Sequence, residues 1–170
     1  MPPAQRNERF ICTLLDRFLL DESRGLNRNV QEEFSLQEYL ASIQRDLRDL
    51  LNTRQTLSDT RVEGLEEVRR SVLMYGLPVE KSEGYITSRT PKELAMVIEA
   101  VIRQFEPRLT HVRVIPPAPP GKTAVSDSSL VGVVRFKVEA MARMEPRPQR
   151  VEFDTTLDPD KQEYEIESLL

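Results

Sequence analysis

The stretch TPKELAMVIEAVIRQFEPRLTHVRVI, residues 90–115, contains the point at which the hydrophobic pattern of the chain changes its period. Up to Phe105 the apolar residues recur every three or four positions, which is typical of a helix. Beyond Pro107 they alternate, so that Val112 and Val114 fall on one side of a β-strand. The pattern therefore predicts helices before this point and strands after it.

The helix in this stretch begins at a recognisable cap. Thr90 and Glu93 have the spacing of a capping box, and Pro91 occupies the first turn, where its missing amide costs nothing. Ser35 and Glu38 repeat the capping-box spacing earlier in the chain. A long apolar stripe follows them, made up of Leu36, Tyr39, Leu40, Ile43, Leu47, Leu50 and Leu51. Both stretches predict amphipathic helices with a buried face.

Shorter apolar patterns predict two further helices. One runs from Phe10 to Leu20 and has a wide apolar face. The other ends near Gly76, which suits a helix C-terminus, and its apolar positions are Leu65, Val68, Val72 and Tyr75. Residues 21–34 and 79–89 read as connections.

Alternating patterns predict the strands. They centre on Val112, 134–141, 151–157 and 163–168, with a long proline-rich loop after the first and turn residues at 158–161. We therefore predict an α+β fold, with N-terminal helices packed on one face of a C-terminal antiparallel sheet of about four strands. We divide the chain into an N-terminal helix and linker, residues 1–34, and an α+β domain, residues 35–170.

Composition excludes several classes of protein. The 170 residues suffice for one domain with a core, and a formal charge of -4 gives no electrostatic footprint for nucleic acid or an anionic membrane. No apolar run approaches the length of a membrane span, and the first residues lack the apolar region of a signal peptide. Cys12 is the single cysteine, so no intramolecular disulfide can form. We expect a cytoplasmic protein without membrane insertion.

Residues for catalysis are scarce. His111 is the single histidine, and together with Cys12 it is too little for a catalytic triad or a zinc site. Gly121-Lys122-Thr123 resembles the end of a phosphate-binding loop, but the position of the required first glycine is Pro116. We therefore expect no enzyme activity, no metal, no cofactor and no small-molecule substrate.

The most informative local sequence is the corner Phe105-Glu106-Pro107-Arg108-Leu109. Pro107 forces Glu106 into extended geometry, so the side chains of Glu106 and Arg108 project on the same side. One interpretation is an internal salt bridge that holds the corner. The other is a polar prong, formed by Glu106, Pro107 and Arg108, that contacts a partner subunit.

A hydrolase is the enzymatic alternative. It would use Glu106 as a general acid and would need a second carboxylate nearby, such as Asp127 or Asp154. The neighbouring Arg108 favours the ionised form of Glu106, which is the opposite of what a general acid requires. The residues therefore argue against this alternative.

Several fragments, in order along the chain, resemble the baseplate wedge proteins of contractile phage tails, a family also labelled lysozyme-like. The fragments are residues 45–47, 50–54, 71–78, 105–109 and 153–158. The segment Leu14-Leu15-Asp16-Arg17-Phe18 resembles the start of the bacterial branch, the TssE proteins of type VI secretion systems. Val79-Glu80-Lys81 departs from the family, which usually carries an acidic residue at the start of that loop.

The resemblance implies a structural baseplate subunit of a type VI secretion machine, cytoplasmic and associated with a membrane-anchored apparatus. It implies other baseplate wedge subunits and contractile sheath subunits as partners. Family members present a sheet that resembles the handshake fold of sheath subunits, on which the first sheath ring docks by strand exchange. A contractile phage tail baseplate is the main alternative, and a peptidoglycan hydrolase using Glu106 is the other.

The predicted C-terminal strand is the candidate edge for an incoming sheath strand, because unpaired main-chain groups can bind one. The residues concerned are Glu163, Tyr164, Glu165, Ile166 and Glu167. Their acidic face has a second interpretation, since charges on an edge strand also prevent aggregation.

Overall fold

The computed structural model describes residues 9–10, 13–16, 18, 35–57, 61–78, 90–117 and 133–168. Its elements, in chain order, are β1 (Arg9–Phe10), α1 (Leu36–Asn52), α2 (Glu66–Arg69), a 3-10 helix (Val72–Met74), α3 (Pro91–Phe105), β2 (Leu109–Ile115), β3 (Val134–Ala142), β4 (Met144–Glu145), β5 (Gln149–Asp158) and β6 (Glu163–Ser168). The predicted loops 21–34 and 79–89, and most of the proline-rich loop, lie outside these residues. The proposed domain division at residue 34 therefore stays a prediction.

Strands β2, β3, β5 and β6 form a four-stranded sheet in the order β2-β3-β5-β6. Every neighbouring pair in it is antiparallel. Helix α1 lies against β6, and helix α3 lies against β2. Along β5 every second residue from Val151 to Leu157 is buried, so one face of the strand meets the core and the other points away. This arrangement confirms the predicted α+β fold.

Both predicted capping boxes are present. The hydroxyl of Ser35 accepts from the amide of Glu38 at 3.2 Å, and the Glu38 carboxylate accepts from the Ser35 amide at 2.8 Å. Thr90 and Glu93 make the same reciprocal pair at the start of α3. Helix α3 ends at Phe105, because Pro107 disfavours helical geometry at the residue before it. The signals read from the sequence therefore set the ends of the helices that form the core.

The core lies between the two long helices and the sheet. Tyr39, Ile43, Ile98 and Phe153 are all 0% exposed, and burying such a side chain contributes about 1.5–3 kcal/mol before entropy is subtracted. The ring of Phe10 packs on Tyr39 with 5.0 Å between centroids. That contact attaches the short strand β1, which pairs with β4, to the core.

The N-terminal helix predicted from Phe10 to Leu20 is partly wrong. Phe10 lies in strand β1, and helical residues begin at Leu14. Two residues of its apolar face lie at the surface, since Leu14 is 72% exposed and Phe18 is 69% exposed. Among the described residues of this segment, Asp16 is buried, at 3%, as is Phe10 in its strand, at 7%. The ion pair between Asp16 and Arg45 therefore attaches this segment to α1.

The helix predicted around Leu65 to Tyr75 is also wrong. A four-residue helix, α2, is followed by the 3-10 helix, and Leu65 and Val72 are 52% and 80% exposed. Ser71 separates the two helices, because its hydroxyl donates to the carbonyl of Val68 and accepts from the amide of Leu73. The apolar spacing that predicted one helix therefore belongs to two separate short helices.

Gly76 allows this segment to cross close to the end of α1. Its φ is +103°, and a Cβ placed there would lie 2.4 Å from the carbonyl oxygen of Thr53. The amide of Leu77 donates to that same oxygen at 2.8 Å. Only glycine meets both requirements without strain.

Candidate interaction site

A buried salt bridge occupies the corner between α3 and β2. Glu106 Oε1 accepts from the backbone amide of Arg108 at 3.0 Å and from its Nε at 2.8 Å, and Oε2 lies 2.6 Å from Nη2. Glu106 is 4% exposed and Arg108 is 2% exposed. Both carboxylate oxygens are therefore held by one guanidinium inside the protein.

Arg108 also reaches helix α1. Its Nη2 lies 2.6 Å from Asp46 Oδ2, and its Nη1 donates to the hydroxyl of Ser42 at 2.9 Å. The Ser42 hydroxyl donates in turn to the carbonyl of Tyr39. The corner and the middle of α1 are thus joined by hydrogen bonds as well as by apolar packing.

The N-terminal segment joins the same group of charges through Asp16. Asp16 Oδ1 lies 2.7 Å from Arg45 Nη2, and Oδ2 lies 3.6 Å from Arg108 Nη1. Thr13 fixes the carboxylate by donating its amide and its hydroxyl to Oδ2. We call Asp16, Ser42, Arg45, Asp46, Glu106 and Arg108 the charge cluster.

The charges in the cluster nearly balance. Asp16, Asp46 and Glu106 supply the carboxylates, and Arg45 and Arg108 supply the guanidinium groups. Buried charges are tolerated when they are paired and hydrogen-bonded in this way. The cluster ties together three segments that are far apart in the chain.

The surroundings of Arg108 and Asp16 favour the ionised forms of these two side chains. Burial opposes the charge on Arg108, but the hydrogen bond and charge of Glu106, together with Asp46, outweigh it and raise the pKa of the guanidinium. Burial likewise opposes ionisation of Asp16, and hydrogen bonds from Arg45 and Thr13 overcome it and lower the pKa of that carboxyl.

Of the two interpretations of the corner, the geometry matches the internal salt bridge. Glu106 and Arg108 do not project into solvent as a prong would, and Pro107 is the exposed residue of the three. The geometry also does not suit a hydrolase, because Glu106 is buried and both of its carboxylate oxygens are bound by the guanidinium of Arg108. Asp154 is exposed in β5, and Asp127 lies outside the described residues.

Sequence reasoning missed Asp16, Ser42, Arg45 and Asp46 as parts of this site. A signal was present, since Asp16 and Arg17 interrupt a largely apolar run and a carboxylate there needs a cationic partner if it is buried. Sequence alone does not show that Arg45 and Arg108 are those partners. Arg45 lies 29 residues after Asp16 in the chain, so only the tertiary fold brings the two together.

Strand β6 lies at one edge of the described sheet. Tyr164 and Ile166 point into the core, at 2% and 6% exposure, whereas Glu163, Glu165 and Glu167 face solvent. This edge was expected to offer unpaired main-chain groups. Several of those groups are instead bonded to side chains of α1.

Two amide side chains make those bonds. Asn52 Oδ1 accepts from the amide of Tyr164 at 2.8 Å, and Asn52 Nδ2 donates to the carbonyl of Tyr164 at 2.9 Å. Gln44 Nε2 donates to the carbonyl of Ile166 at 2.5 Å. We call Gln44 and Asn52 the edge amides.

The other described edge, β2, is covered by an ion pair. Glu99 accepts from the amide of Val114 at 3.0 Å, and Arg103 Nη2 donates to the carbonyl of Val112 at 2.7 Å. Glu99 and Arg103 also pair with each other at 2.8 Å. His111, at a φ of 54°, sits in a register shift of β2, which further disrupts the ladder on this side.

The described residues contain no group of histidine, cysteine, aspartate or glutamate side chains that could hold a metal ion. None of the helices in that part of the chain is long and apolar enough to cross a membrane.

Comparison with known proteins identifies a family. Residues 37–154 match the family described as baseplate wedge protein gp25. Neither the curated proteins nor the solved structures compared with the chain gave a match. The matched region contains Arg45, Asp46, Glu106 and Arg108, and it excludes Asp16 and strand β6.

Proposed function

The chain belongs to the baseplate wedge protein gp25 family, and from that premise we propose that it is a structural subunit of a type VI secretion baseplate. In this role it joins other wedge subunits and offers its sheet to the first contractile sheath subunits. The family itself is one of structural baseplate proteins, which agrees with the internal use of Glu106. The family match carries the proposal.

Exposed apolar side chains support a role in assembly. Leu14, Phe18 and Val72 are 72%, 69% and 80% exposed, although their sequence patterns are those of buried residues. Asp16 fastens the first two beside the charge cluster, and the ring of Tyr75 packs on Phe105 at 5.5 Å, which fastens the Val72 turn near the same corner. Positioned apolar residues of this kind are typical of interfaces with partner proteins.

The charge cluster has an indirect part in this proposal. It holds the N-terminal segment and the corner in fixed positions, so that a wedge subunit meets Leu14, Phe18 and Pro107 together. Glu106 and Arg108 then act on the partner through the surface that they position.

The choice of a secretion machine over a phage tail rests on the segment Leu14 to Phe18. That segment resembles the bacterial branch of the family, and it lies outside the matched residues 37–154. The sheath part of the proposal rests on β6, whose edge position suits strand addition. Its exposed carboxylates give that edge a strong negative character.

Co-purification tests the proposal. The tagged chain should retain wedge and sheath subunits expressed from the same gene cluster, and Leu14→Ser with Phe18→Ser should reduce the retained wedge subunits by about tenfold or more. Arg70→Ala is the matched control, because Arg70 is 71% exposed and pairs only with Glu66 among the described residues. Retention of neither subunit by the unmodified chain would contradict the proposed function.

A further inference from the structure

The edge amides occupy positions that the main chain of an added strand would occupy. In an antiparallel sheet, each residue of a hydrogen-bonded pair accepts from and donates to one residue opposite. Asn52 does both to Tyr164 with its single amide group. Gln44 supplies a donor to Ile166, two residues further along the same edge.

The two edges of the sheet are covered by different chemistry. At β2 the covering groups are charged and pair with each other, and a register shift breaks the ladder. At β6 they are neutral amides on side chains that are exposed or half-buried. Hydrogen bonds from charged groups are stronger than hydrogen bonds between neutral groups, so a neutral amide is displaced into water at a lower cost. The β6 edge is therefore the one that opens more easily.

The solvent face of β6 indicates what would bind there. Glu167 lies opposite Asp154, and Glu163 lies opposite Asp158, so like charges face each other across two strands. Within the described part of the chain, no salt bridge reaches Glu163, Glu165 or Glu167. A neighbouring strand with lysine or arginine on this face would neutralise them.

We propose that the edge amides are placeholders for an extended segment of a partner, one that carries a basic residue at every second position. The segment displaces Gln44 and Asn52, pairs with Tyr164 and Ile166, and sets its basic residues against Glu165 and Glu167. A second copy of this chain is disfavoured, because its own acidic β6 would meet the same carboxylates. The assignment of the segment to a sheath subunit rests on the proposed function.

Until displaced, the amides protect the edge. They satisfy main-chain groups that would otherwise recruit any extended chain. The hydrogen bonds of a partner strand contribute to its affinity only by as much as they exceed those of the displaced amides. The basic residues therefore determine which segment binds.

Peptide binding to the full-length protein tests the placeholder role. The probes are two synthetic peptides, one alternating valine with lysine and the other alternating valine with glutamate, measured by calorimetry at low salt. We expect the lysine peptide to bind at least about tenfold more tightly than the glutamate peptide. Gln44→Ala with Asn52→Ala should tighten binding of the lysine peptide by about tenfold or more, because competition from the amides is removed.

Three further variants make the outcome specific. Glu99→Ala with Arg103→Ala uncovers the β2 edge and should leave binding of the lysine peptide unchanged. Glu165→Lys with Glu167→Lys should invert the preference between the two peptides. Asn52→Ala alone removes both bonds to Tyr164 without adding a charge, and it provides a milder variant if the double alanine change unfolds the protein.

Unchanged or weaker binding by both the double alanine variant and Asn52→Ala would overturn the placeholder role, as would equal binding of the two peptides. Sheath co-purification is scored separately. Tighter peptide binding without sheath retention would reject the sheath assignment and leave the placeholder role standing.

Discussion

The guanidinium of Arg108 lies 2.6 Å from the carboxylate of Asp46, across 62 residues of sequence. Arg108 is 2% exposed and Asp46 is 22% exposed in their side chains, so the pair runs from the interior toward the surface. Through it the corner after α3 is attached to α1. The contact makes the charge cluster a structural joint between distant parts of the fold.

Replacing Arg108 should strongly destabilise the protein. Arg108→Met leaves the buried carboxylate of Glu106 without its cation, which costs about 3–5 kcal/mol in comparable buried pairs. Urea unfolding followed by circular dichroism measures the loss. Arg70→Ala, at an exposed pair, should change the unfolding free energy by no more than about 0.5 kcal/mol. Adding Glu106→Gln to Arg108→Met should recover part of the stability, and a further loss would contradict a paired-charge explanation.

Asp16 should make the attachment of the N-terminal segment sensitive to acid. Its pKa is lower in the folded protein than the ordinary value of 3.8, so its contribution is fully present above that value and is lost as pH falls through the lower, folded pKa. Asp16→Asn should therefore release residues 13–18 at pH 7, detected by faster hydrogen exchange there. The two proteins should become alike in this region at acid pH. An equal difference at every pH would rule out the carboxylate as the cause.

Gly76→Ala should cost more than the same change at Gly64. Both glycines have positive φ, +103° and +78°, where a side chain costs about 1–2 kcal/mol. At Gly76 the new Cβ also collides with the carbonyl of Thr53, whereas at Gly64 nothing lies within 4 Å. Thermal unfolding of the two variants gives the comparison. Equal melting temperatures would show that the segment moves away from α1 at little cost.

The exposed apolar residues should be dispensable for folding. Leu14→Ser with Phe18→Ser is expected to change the unfolding free energy by less than about 1 kcal/mol, since neither residue is in the core. Leu47→Ala, at 1% exposure, should cost about 2–5 kcal/mol in the same urea experiment. A large loss in the serine variant would mean that these residues stabilise the isolated chain, and it would weaken their assignment to a partner surface.

Local signals in the sequence predicted the main elements well. The capping boxes at Ser35 and Thr90 and the stop at Pro107 depend on residues within four positions of each other, which is why they can be read directly. The alternation after Pro107 likewise predicted four strands. The same local reading failed at Val72, because Ser71 broke the helix with side-chain bonds that a hydrophobic pattern does not encode.

The site was less accessible to prediction. Glu106 and Arg108 were recognised as a pair because they are two residues apart, but their burial depends on Ser42 and Asp46, which only the tertiary fold brings near. The edge position of β6 followed from the order of strands. Its coverage by Asn52, 112 residues before Tyr164, did not.

Dissolved salt acts differently on the two charged regions of this protein, the charge cluster and the acidic face of β6. Mobile ions screen exposed charges over roughly 10 Å at 0.1 M salt, and they have little effect on groups removed from water. Salt therefore screens the buried pairs around Arg108 only weakly, whereas it screens the exposed carboxylates along β6 strongly. A rise in ionic strength would therefore weaken the binding of a basic partner segment along β6, while the fold held by the charge cluster stays unchanged.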